Sequence, residues 1–408
     1  MDCACTALAP ARQLGLALAL LPLAVQAGFR PEILADIDAA ITNAIAARSC
    51  PGVVLWLEHD GQVYHRAYGQ RAITPSREPM TGDTIFDVAS LTKVLATAPA
   101  IMRLVERGQV GLDDPVRRYL PEFAGNGTGS ITVRHLLTHT SGLLTGISGA
   151  RFHDYGTAIA RALQEVPRAK PGSQFRYCDV NFILLAELVR RVAHQPLDQF
   201  VVTEIYRPLR MNDTGYLPPA AQQPRIAPTQ HSEQGLLRGK VHDPTARRMG
   251  GVSGHAGVFS TAADLARFAR MMLNGGELDG VRLLQPHTIQ LMTCVQSPEA
   301  VTARRGLGWD LDSEYSRPRG LRFPLGSYGH TGFTGTFLWI DPFSKTFVIF
   351  LSNRLHPDGQ GNVLDLYAWI GTLAARAVDD FDFSHVPAAL PFRADFIRWG
   401  TATNALGP

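Results

Sequence analysis

Two pairs of strand-like segments lie near opposite ends of the chain, and they constrain the fold more than any other feature. Residues 53–58 and 63–68 are joined through Asp60-Gly61, a dipeptide typical of tight β-hairpin turns. The second pair comprises residues 336–340 and 346–351. An isolated hairpin is only marginally stable in water. We therefore expect both pairs to belong to an antiparallel sheet.

Helical patterns flank and separate these strands. Apolar residues recur with helical spacing from Pro31 to Arg48 and from Leu364 to Val378, so the two terminal helices should cover one face of the sheet. Residues from about 83 to 280 are mainly helix and loop, including Asn181 to Ala193 and Ala262 to Leu273. The prediction is an α/β fold: an antiparallel sheet flanked by N- and C-terminal helices, with an inserted, mainly helical region and a functional cleft between the two.

The first 27 residues have the pattern of an export signal. Arg12 precedes an apolar run from Leu14 to Val25, and Val25-Gln26-Ala27 resembles the small-residue site that signal peptidase cuts. We therefore predict a cleavable signal at 1–27 and a periplasmic or secreted protein. The run is short for a membrane span, so contact with a membrane is expected only if the segment stays uncleaved as an anchor.

Composition narrows the range of partners. The chain has 408 residues, of which 45% are hydrophobic and 18% charged, which suits a globular domain, predicted over 28–379, followed by a tail at 380–408 that packs on the surface or dangles. The net charge of +3 comes without a basic cluster, so nucleic acid is not an expected partner. We expect a monomer that acts on a small-molecule substrate.

A lysine three residues after a serine is the strongest chemical signal in the chain. The sequence has four lysines, and Ser90-Leu91-Thr92-Lys93 is its one Ser-x-x-Lys motif. Positions three apart share a helix face, and a desolvated lysine, unlike an arginine, can lose its proton and activate a serine hydroxyl. Alternatively, Ser90 caps a helix and Lys93 is a solvated surface charge. The motif alone leaves both interpretations open.

Three further motifs follow in order. They are the segment 131–143 (ITVRHLLTHTSGL), Phe175-Arg176-Tyr177-Cys178-Asp179 and Gly329-His330-Thr331-Gly332. The ordered set resembles the serine beta-lactamase and penicillin-binding family, specifically its branch of class C beta-lactamases, D,D-peptidases and related esterases. The resemblance runs from about Pro51 to about Asn353. It implies the beta-lactamase/transpeptidase-like fold and a serine hydrolase.

The resemblance also implies roles for the matched residues. Ser90 would be the acylated nucleophile, Lys93 its proton acceptor, and Tyr177 a second base or proton relay. The backbone N–H groups of Ser90 and Phe333 would form the oxyanion hole. A phenol near two cationic groups should have a lowered pKa, which suits proton exchange. This mechanism needs neither a cofactor nor a metal.

Two positions depart from the family pattern. Asp179 stands where class C enzymes usually have Asn, so a hydrogen-bond acceptor replaces an amide donor in the substrate-binding set. His330 replaces the lysine of Lys-Thr-Gly, so a titratable group replaces a permanent cation, and activity should change across about pH 6 to 7 if its charge matters. The resemblance assigns Thr331 and Gly332 to substrate binding along this strand edge.

These departures leave the substrate open. Beta-lactams, cell-wall peptides and small esters all remain candidates, the last for a carboxylesterase. A penicillin-binding protein that acylates without fast turnover, or a cleft that only binds wall fragments, is a further alternative. The sequence does not determine the lifetime of an acyl-enzyme.

A glycine-rich stretch, 250–261 (GGVSGHAGVFST), follows Val241-His242-Asp243-Pro244. It resembles loops in proteins grouped with penicillin-binding protein 4B and with muramyl-peptide amidases, which implies murein fragments as substrates. His255 is assigned to substrate binding on this basis, and His242 is a candidate for lining the cleft.

His135 and His139 lie four residues apart on a predicted helix, as metal-binding pairs do. However, Leu136 occupies the place of the glutamate in His-Glu-x-x-His. We therefore expect no metal here, and the family resemblance implies instead a packed helix start with Thr132 as its cap and the leucines buried.

Overall fold

An eight-stranded antiparallel sheet forms the centre of the computed structural model, which describes residues 28–391 apart from 126, 148–151 and 234. In chain order its strands are β1 (Gly52–His59), β2 (Gln62–Ala72), β3 (Glu78–Pro79), β4 (Arg304–Arg305), β5 (Asp310–Asp312), β6 (Tyr328–Gly332), β7 (Thr336–Asp341) and β8 (Thr346–Ser352). Their spatial order is β4-β5-β6-β7-β8-β1-β2-β3. Strands β1 and β8 pair antiparallel at the centre, so the two predicted hairpins join in one sheet.

The hairpin between β1 and β2 turns where the sequence predicts. Asp60 and Gly61 both have positive φ, 42° and 84°, as the two central residues of a type I′ turn require. Glycine adopts this conformation without a steric cost, and aspartate tolerates it better than most residues.

Both faces of the sheet are covered, which explains why β8 is a continuous apolar run. Val348 and Phe350 point to one face and pack in the core formed with the terminal helices, whereas Ile349 and Leu351 point to the other and pack with the helical region. Successive side chains of a strand face opposite sides, so each face receives alternate residues of β8. The strand thus joins the two cores.

Ten α-helices are assigned among the described residues. They are α1 (Pro31–Ala46), α2 (Ala98–Glu106), α3 (Val133–Leu137), α4 (Tyr155–Ala162), α5 (Asp179–Ala193), α6 (Leu197–Val201), α7 (Pro244–Arg248), α8 (Ala262–Leu273), α9 (Pro286–Thr293) and α10 (Leu364–Ala377). Helices α1 and α10 pack together on one face of the sheet, as predicted. Helices α2 to α9 lie between β3 and β4 in the chain, and α9 extends this region past residue 280.

Short strands and 3₁₀ turns complete the helical region. Phe86–Asp87, Val258–Ser260 and Gly215–Tyr216 form a three-stranded sheet, and two small hairpins pair Glu277–Leu278 with Val281–Arg282 and His231–Ser232 with Gly235–Leu236. The small sheet matters for the site because Phe86–Asp87 leads directly to Ser90.

The sequence predicts that the segment after Ser90 is a helix that is kinked at Pro99 and ends at Gly108, and the structure has three consecutive segments there. A 3₁₀ turn at Ala89–Leu91 is followed by a π-helical segment at Lys93–Thr97 and then by α2. Pro99 lies in the first turn of α2, where its missing N–H costs least, so the irregular backbone falls before the proline. π-Helical segments of this kind are frequent at functional sites.

The described start of the tail packs on the molecule rather than dangling. Phe381 and Phe383 pack against the core under the terminal helices, and the Leu390 N–H donates to the Leu325 carbonyl at 2.9 Å. The predicted signal at 1–27 and the tail beyond residue 391 lie outside the described residues. Within the described part of the chain, we find no helix that is both long and apolar enough to span a membrane.

Candidate active site

The segment that carries Ser90 is held by a buried carboxylate. Asp87 is 2% exposed and accepts the backbone N–H of Ala89 at 2.9 Å and that of His242 at 2.7 Å. Ala89 has a φ of 46°, in the left-handed region that only glycine occupies without strain. This sharp turn places Ser90 at the wall of a cleft of about 770 Å³.

Lys93 lies entirely inside the protein, and its Nζ has three oxygen neighbours. Ser90 Oγ is at 3.0 Å, Asp179 Oδ1 at 2.8 Å and the His255 carbonyl at 3.1 Å. The surface-charge interpretation of Lys93 is therefore wrong, because its side chain is 0% exposed. Ser90 and Lys93 are within direct hydrogen-bond distance, as nucleophilic catalysis requires.

The charge state of Lys93 differs from the sequence-based expectation. Burial favours the neutral amine and is the largest single influence on its pKa, but the charge and hydrogen bond of the Asp179 carboxylate, together with the contact to Tyr177, outweigh it and raise the pKa above its ordinary value. Lys93 is therefore an ammonium in the free protein. Desolvation alone would have given a neutral amine, and the Asp179 carboxylate is the reason that it does not.

Tyr177 is buried beside Lys93 and held by stacking. The Lys93 Nζ lies 4.8 Å from the centroid of its ring, and the His139 imidazole stacks on that ring at a centroid distance of 4.5 Å. The expected lowering of the Tyr177 pKa is wrong: burial raises the pKa, and the opposing effect of Lys93 is smaller. Tyr177 is thus a neutral phenol in the free protein, able to donate a hydrogen bond toward Ser90 and to accept one from the Lys93 ammonium.

Strand β6 brings His330 and Thr331 to the opposite wall of the cleft. His330 is buried, and its Nδ1 lies 2.8 Å from the Thr331 carbonyl. Burial, followed by the positive charges of Arg305 and Lys93, holds the pKa of His330 well below its usual range. The group is therefore neutral at pH 6 to 7, and the expected change of its charge across this interval does not occur.

Gly332 allows β6 to approach the nucleophile segment closely. A Cβ at Gly332 would lie 2.5 Å from the Val88 carbonyl oxygen, closer than any side chain tolerates. The hydroxyls of Thr334 and Thr336 donate to the carbonyls of Asp87 and Val88, at 2.7 Å and 3.2 Å. These contacts fix the strand end against the turn that carries Ser90.

Phe333 follows the last residue of β6 and is 63% exposed at the mouth of the cleft. Its carbonyl accepts the Arg354 Nε–H at 2.8 Å. The use of the Phe333 and Ser90 N–H groups as an oxyanion hole remains a prediction.

His255 is buried, and both of its ring nitrogens have partners. Its Nδ1 lies 2.8 Å from Ser253 Oγ and its Nε2 2.9 Å from Asp243 Oδ1. The backbone carbonyl of His255 accepts a hydrogen bond from Lys93, so the residue contacts the reacting groups through its backbone. Its ring instead links Ser253 to Asp243 and stabilises the glycine-rich loop. The ring therefore has no free nitrogen for the substrate contact assigned to it from sequence.

The remaining walls of the cleft are polar and aromatic. Besides the residues above, they include Arg305, Asp310, Tyr315, Leu364 and Tyr367. Arg305 is fully buried, with Nη1 2.9 Å from Asp310 Oδ1, so a paired cation lies in the wall. Of the cleft candidates, His242 also lines this space, and burial lowers its pKa to about 4.

His135 and His139 do not form a pair. His135 lies in α3, where its Nδ1 accepts the Thr132 N–H at 3.1 Å and the Thr132 hydroxyl caps the helix. His139 lies beyond the helix end and accepts the Cys178 N–H at 3.0 Å. Over residues 28–391, gaps aside, no cluster of three or more His, Cys, Asp or Glu residues is arranged to hold a metal ion.

Three contributors to the site were not identified from sequence: His139 beneath Tyr177, Asp243 beside His255, and Arg305 in the cleft wall. The first two lie inside sequence motifs described above, His139 in 131–143 and Asp243 in 241–244, so their position in these motifs could have indicated a role in the site. Arg305 is one of many arginines and lies in no marked motif, so nothing distinguished it.

Comparison with known proteins identifies the family of the chain and proteins that share its fold. The family model described as "Beta-lactamase" matches residues 37–372. An Escherichia coli (strain K12) protein named "Putative D-alanyl-D-alanine carboxypeptidase" is 32% identical over 370 residues, covering 81% of this chain and 84% of the relative.

Solved structures show the same fold. A penicillin-binding protein homologue from Caulobacter crescentus superposes with a TM-score of 0.69 at 22% identity, covering 86% of this chain and 98% of the other. EstCE1, described as a hydrolase with promiscuous acyltransferase activity, gives a TM-score of 0.68 at 22% identity, covering 85% of this chain and 99% of the other. The predicted fold class is confirmed.

Proposed function

Since the chain belongs to the beta-lactamase family, we propose that this hydrolase is exported and forms an acyl-enzyme on Ser90 with amide substrates from the cell wall. The observation that carries the proposal is the 3.0 Å contact between Ser90 Oγ and the buried Lys93 Nζ at the wall of the large cleft. The carboxypeptidase name of a relative matched over most of both chains favours D-alanyl peptides.

The proposed reaction follows from the neighbours of Ser90. Lys93 must first give up a proton to solvent, since it is an ammonium in the free protein. The neutral amine then accepts the Ser90 proton as Oγ bonds to the substrate carbonyl carbon, and backbone N–H groups stabilise the oxyanion. Tyr177 and Lys93 can supply the proton that the leaving amine needs. Water then hydrolyses the acyl-enzyme and releases the acid.

A carboxylesterase is the second candidate. The neutral His330 provides no permanent cation for a substrate carboxylate on this strand edge, which favours an uncharged acyl substrate. Beta-lactams and peptides that end in D-alanine both carry a carboxylate, so the neutral His330 counts against both, and the name of the relative is what favours D-alanyl peptides over beta-lactams.

Purified mature protein should be compared with Ser90→Ala on an N-acyl-D-alanyl-D-alanine peptide, a short-chain nitrophenyl ester and a chromogenic cephalosporin, with intact-mass analysis. We expect serine-dependent release of D-alanine. Ester turnover alone would instead support the esterase, and cephalosporin turnover a beta-lactamase. A stable adduct without turnover would indicate a penicillin-binding protein, and the absence of both adduct and turnover would contradict the proposal.

His330→Asn should leave the shape of the pH profile between about pH 6 and 7 unchanged, because His330 is already neutral there. A group whose pKa lies well below this interval binds no proton within it, so it contributes no slope. The measurement is kcat/KM against pH for both proteins. A transition near pH 6.5 that disappears in the variant would show that His330 does titrate in this range.

A further inference from the structure

Asp179 has two carboxylate oxygens in different surroundings. Oδ1 is inaccessible to solvent and lies 2.8 Å from Lys93 Nζ. The side chain as a whole is 34% exposed and lines the cleft, and Oδ2 has no hydrogen-bond partner in the part of the chain that the structure describes. One oxygen is therefore committed to Lys93, and the other is open to a ligand.

The position of Asp179 fixes where that ligand group must be. Asp179 Oδ1 and Ser90 Oγ both contact the same nitrogen, and both residues line the same cleft. We therefore expect a substrate group that reaches the open oxygen to lie near the reacting carbonyl. A carboxylate at this position accepts hydrogen bonds and cannot donate them.

We propose that Asp179 is a specificity-determining residue, whose Oδ1 holds the Lys93 ammonium while its Oδ2 accepts a hydrogen bond from an N–H or ammonium group next to the substrate's reacting carbonyl. This inference rests on the proposed acylation of Ser90. Asp179 would favour acyl groups of N-acyl-amino acids or of amino acids with a free amine, because these carry an N–H donor. It would disfavour acyl groups with only acceptor oxygens, because the lone pairs of such an oxygen would face those of the carboxylate.

A matched pair of substrates tests the selection. Thioesters of N-acetyl-D-alanine and of O-acetyl-D-lactate differ by an N–H replaced with an oxygen. Wild-type protein should favour the N–H compound by about 10- to 100-fold in kcat/KM, below the limit for fully buried sites because Asp179 is partly exposed. Asp179→Asn should reduce this ratio to about threefold or less, because its amide can donate to the ester oxygen.

The pH profile gives a second result that a merely structural role would not produce. Neutral Lys93 is the active form, so activity rises with pH through the pKa of Lys93. Asp179→Asn removes the counter-ion that raises this pKa and leaves burial to lower it, so the acid limb should move to lower pH.

The two neighbouring histidines do not titrate in that limb, because burial places the pKa values of His139 and His330 well below the usual range. Burial raises the pKa values of Tyr177 and, to about 12, of Cys178 into the alkaline range of Lys93, so the shift of the limb in Asp179→Asn, rather than the limb itself, is the result that identifies Lys93. The pKa of Asp243 is lowered, since its contact with His255 and its hydrogen bonds outweigh burial.

Glu314→Gln is the matched control, because it removes one exposed carboxylate that neighbours the cleft residue Tyr315 and does not contact Lys93. It should leave both the ratio and the acid limb unchanged. A wild-type ratio near one, or a ratio and limb that survive in Asp179→Asn, would overturn the inference.

A binding experiment separates this inference from the proposed function. Ser90→Ala protein should bind N-acetyl-D-alanine amide more tightly than O-acetyl-D-lactamide by calorimetry, and the Ser90→Ala, Asp179→Asn double variant should bind them equally. Equal binding by the single variant would reject the role of Asp179 even if wild-type protein proves inactive.

Discussion

Ser90→Ala is expected to lower kcat/KM by a factor of about 10⁴ to 10⁶, the range found when the nucleophile of a serine hydrolase is removed. The Ser90 hydroxyl has Lys93 at 3.0 Å and Tyr177 as side-chain neighbours within the described part of the chain, so its loss removes the nucleophile and one small polar group. The variant should therefore unfold within a few degrees of wild-type protein. Initial rates, intact mass after incubation with substrate, and thermal unfolding test the three statements.

Ser173→Ala serves as the control for this variant. Its hydroxyl donates to the Lys170 carbonyl at 2.6 Å on an exposed turn, away from the reacting groups. Turnover should stay at the wild-type level. Wild-type rates from Ser90→Ala on the best substrate would remove Ser90 as the nucleophile.

Lys93→Arg should be almost as inactive, with a loss of about 10³- to 10⁴-fold in kcat, at the upper end for proton-transfer groups. Arginine keeps the positive charge but cannot accept the Ser90 proton near neutral pH. Its planar guanidinium must also fit a fully enclosed site shaped for one nitrogen with three oxygen neighbours. Steady-state rates of folded protein, verified by circular dichroism, provide the measurement.

Because the larger guanidinium can disturb packing, Lys93→Met is the companion variant. Methionine matches the lysine stem in length and carries no base. Both variants should be inactive while the methionine protein keeps its fold. Activity of Lys93→Arg within tenfold of wild type would limit Lys93 to an electrostatic role.

The sheet and its covering helices were predictable because their signals are local. The Asp60-Gly61 turn, the apolar run of 346–351 and the helical spacing in α1 and α10 each depend on neighbours within a few residues. The irregular backbone at Lys93–Thr97 was predictable only in part, because Pro99 indicates a kink but the π-helical form of the segment before it also depends on tertiary packing.

The sequence predicts which residues form the site better than it predicts their protonation states. The structure places Ser90, Lys93, Tyr177 and His330 around one cleft, as the motif order implies. The pKa directions were not predictable, since they depend on how deeply each group is buried and on pairings such as Lys93 with Asp179 that join distant segments. Sequence spacing carries neither quantity.

The left-handed conformation of Ala89 implies a conflict between durability and activity. A non-glycine residue with this backbone carries a penalty of about 1–2 kcal/mol, a substantial part of the margin by which a domain stays folded. The geometry persists because Asp87 and the β6 end hold it in place. Selection for heat resistance alone would favour substitutions that let Ala89 leave the left-handed conformation. The most heat-resistant variants would then be poor enzymes, because Ser90 would no longer be held in its position at the cleft.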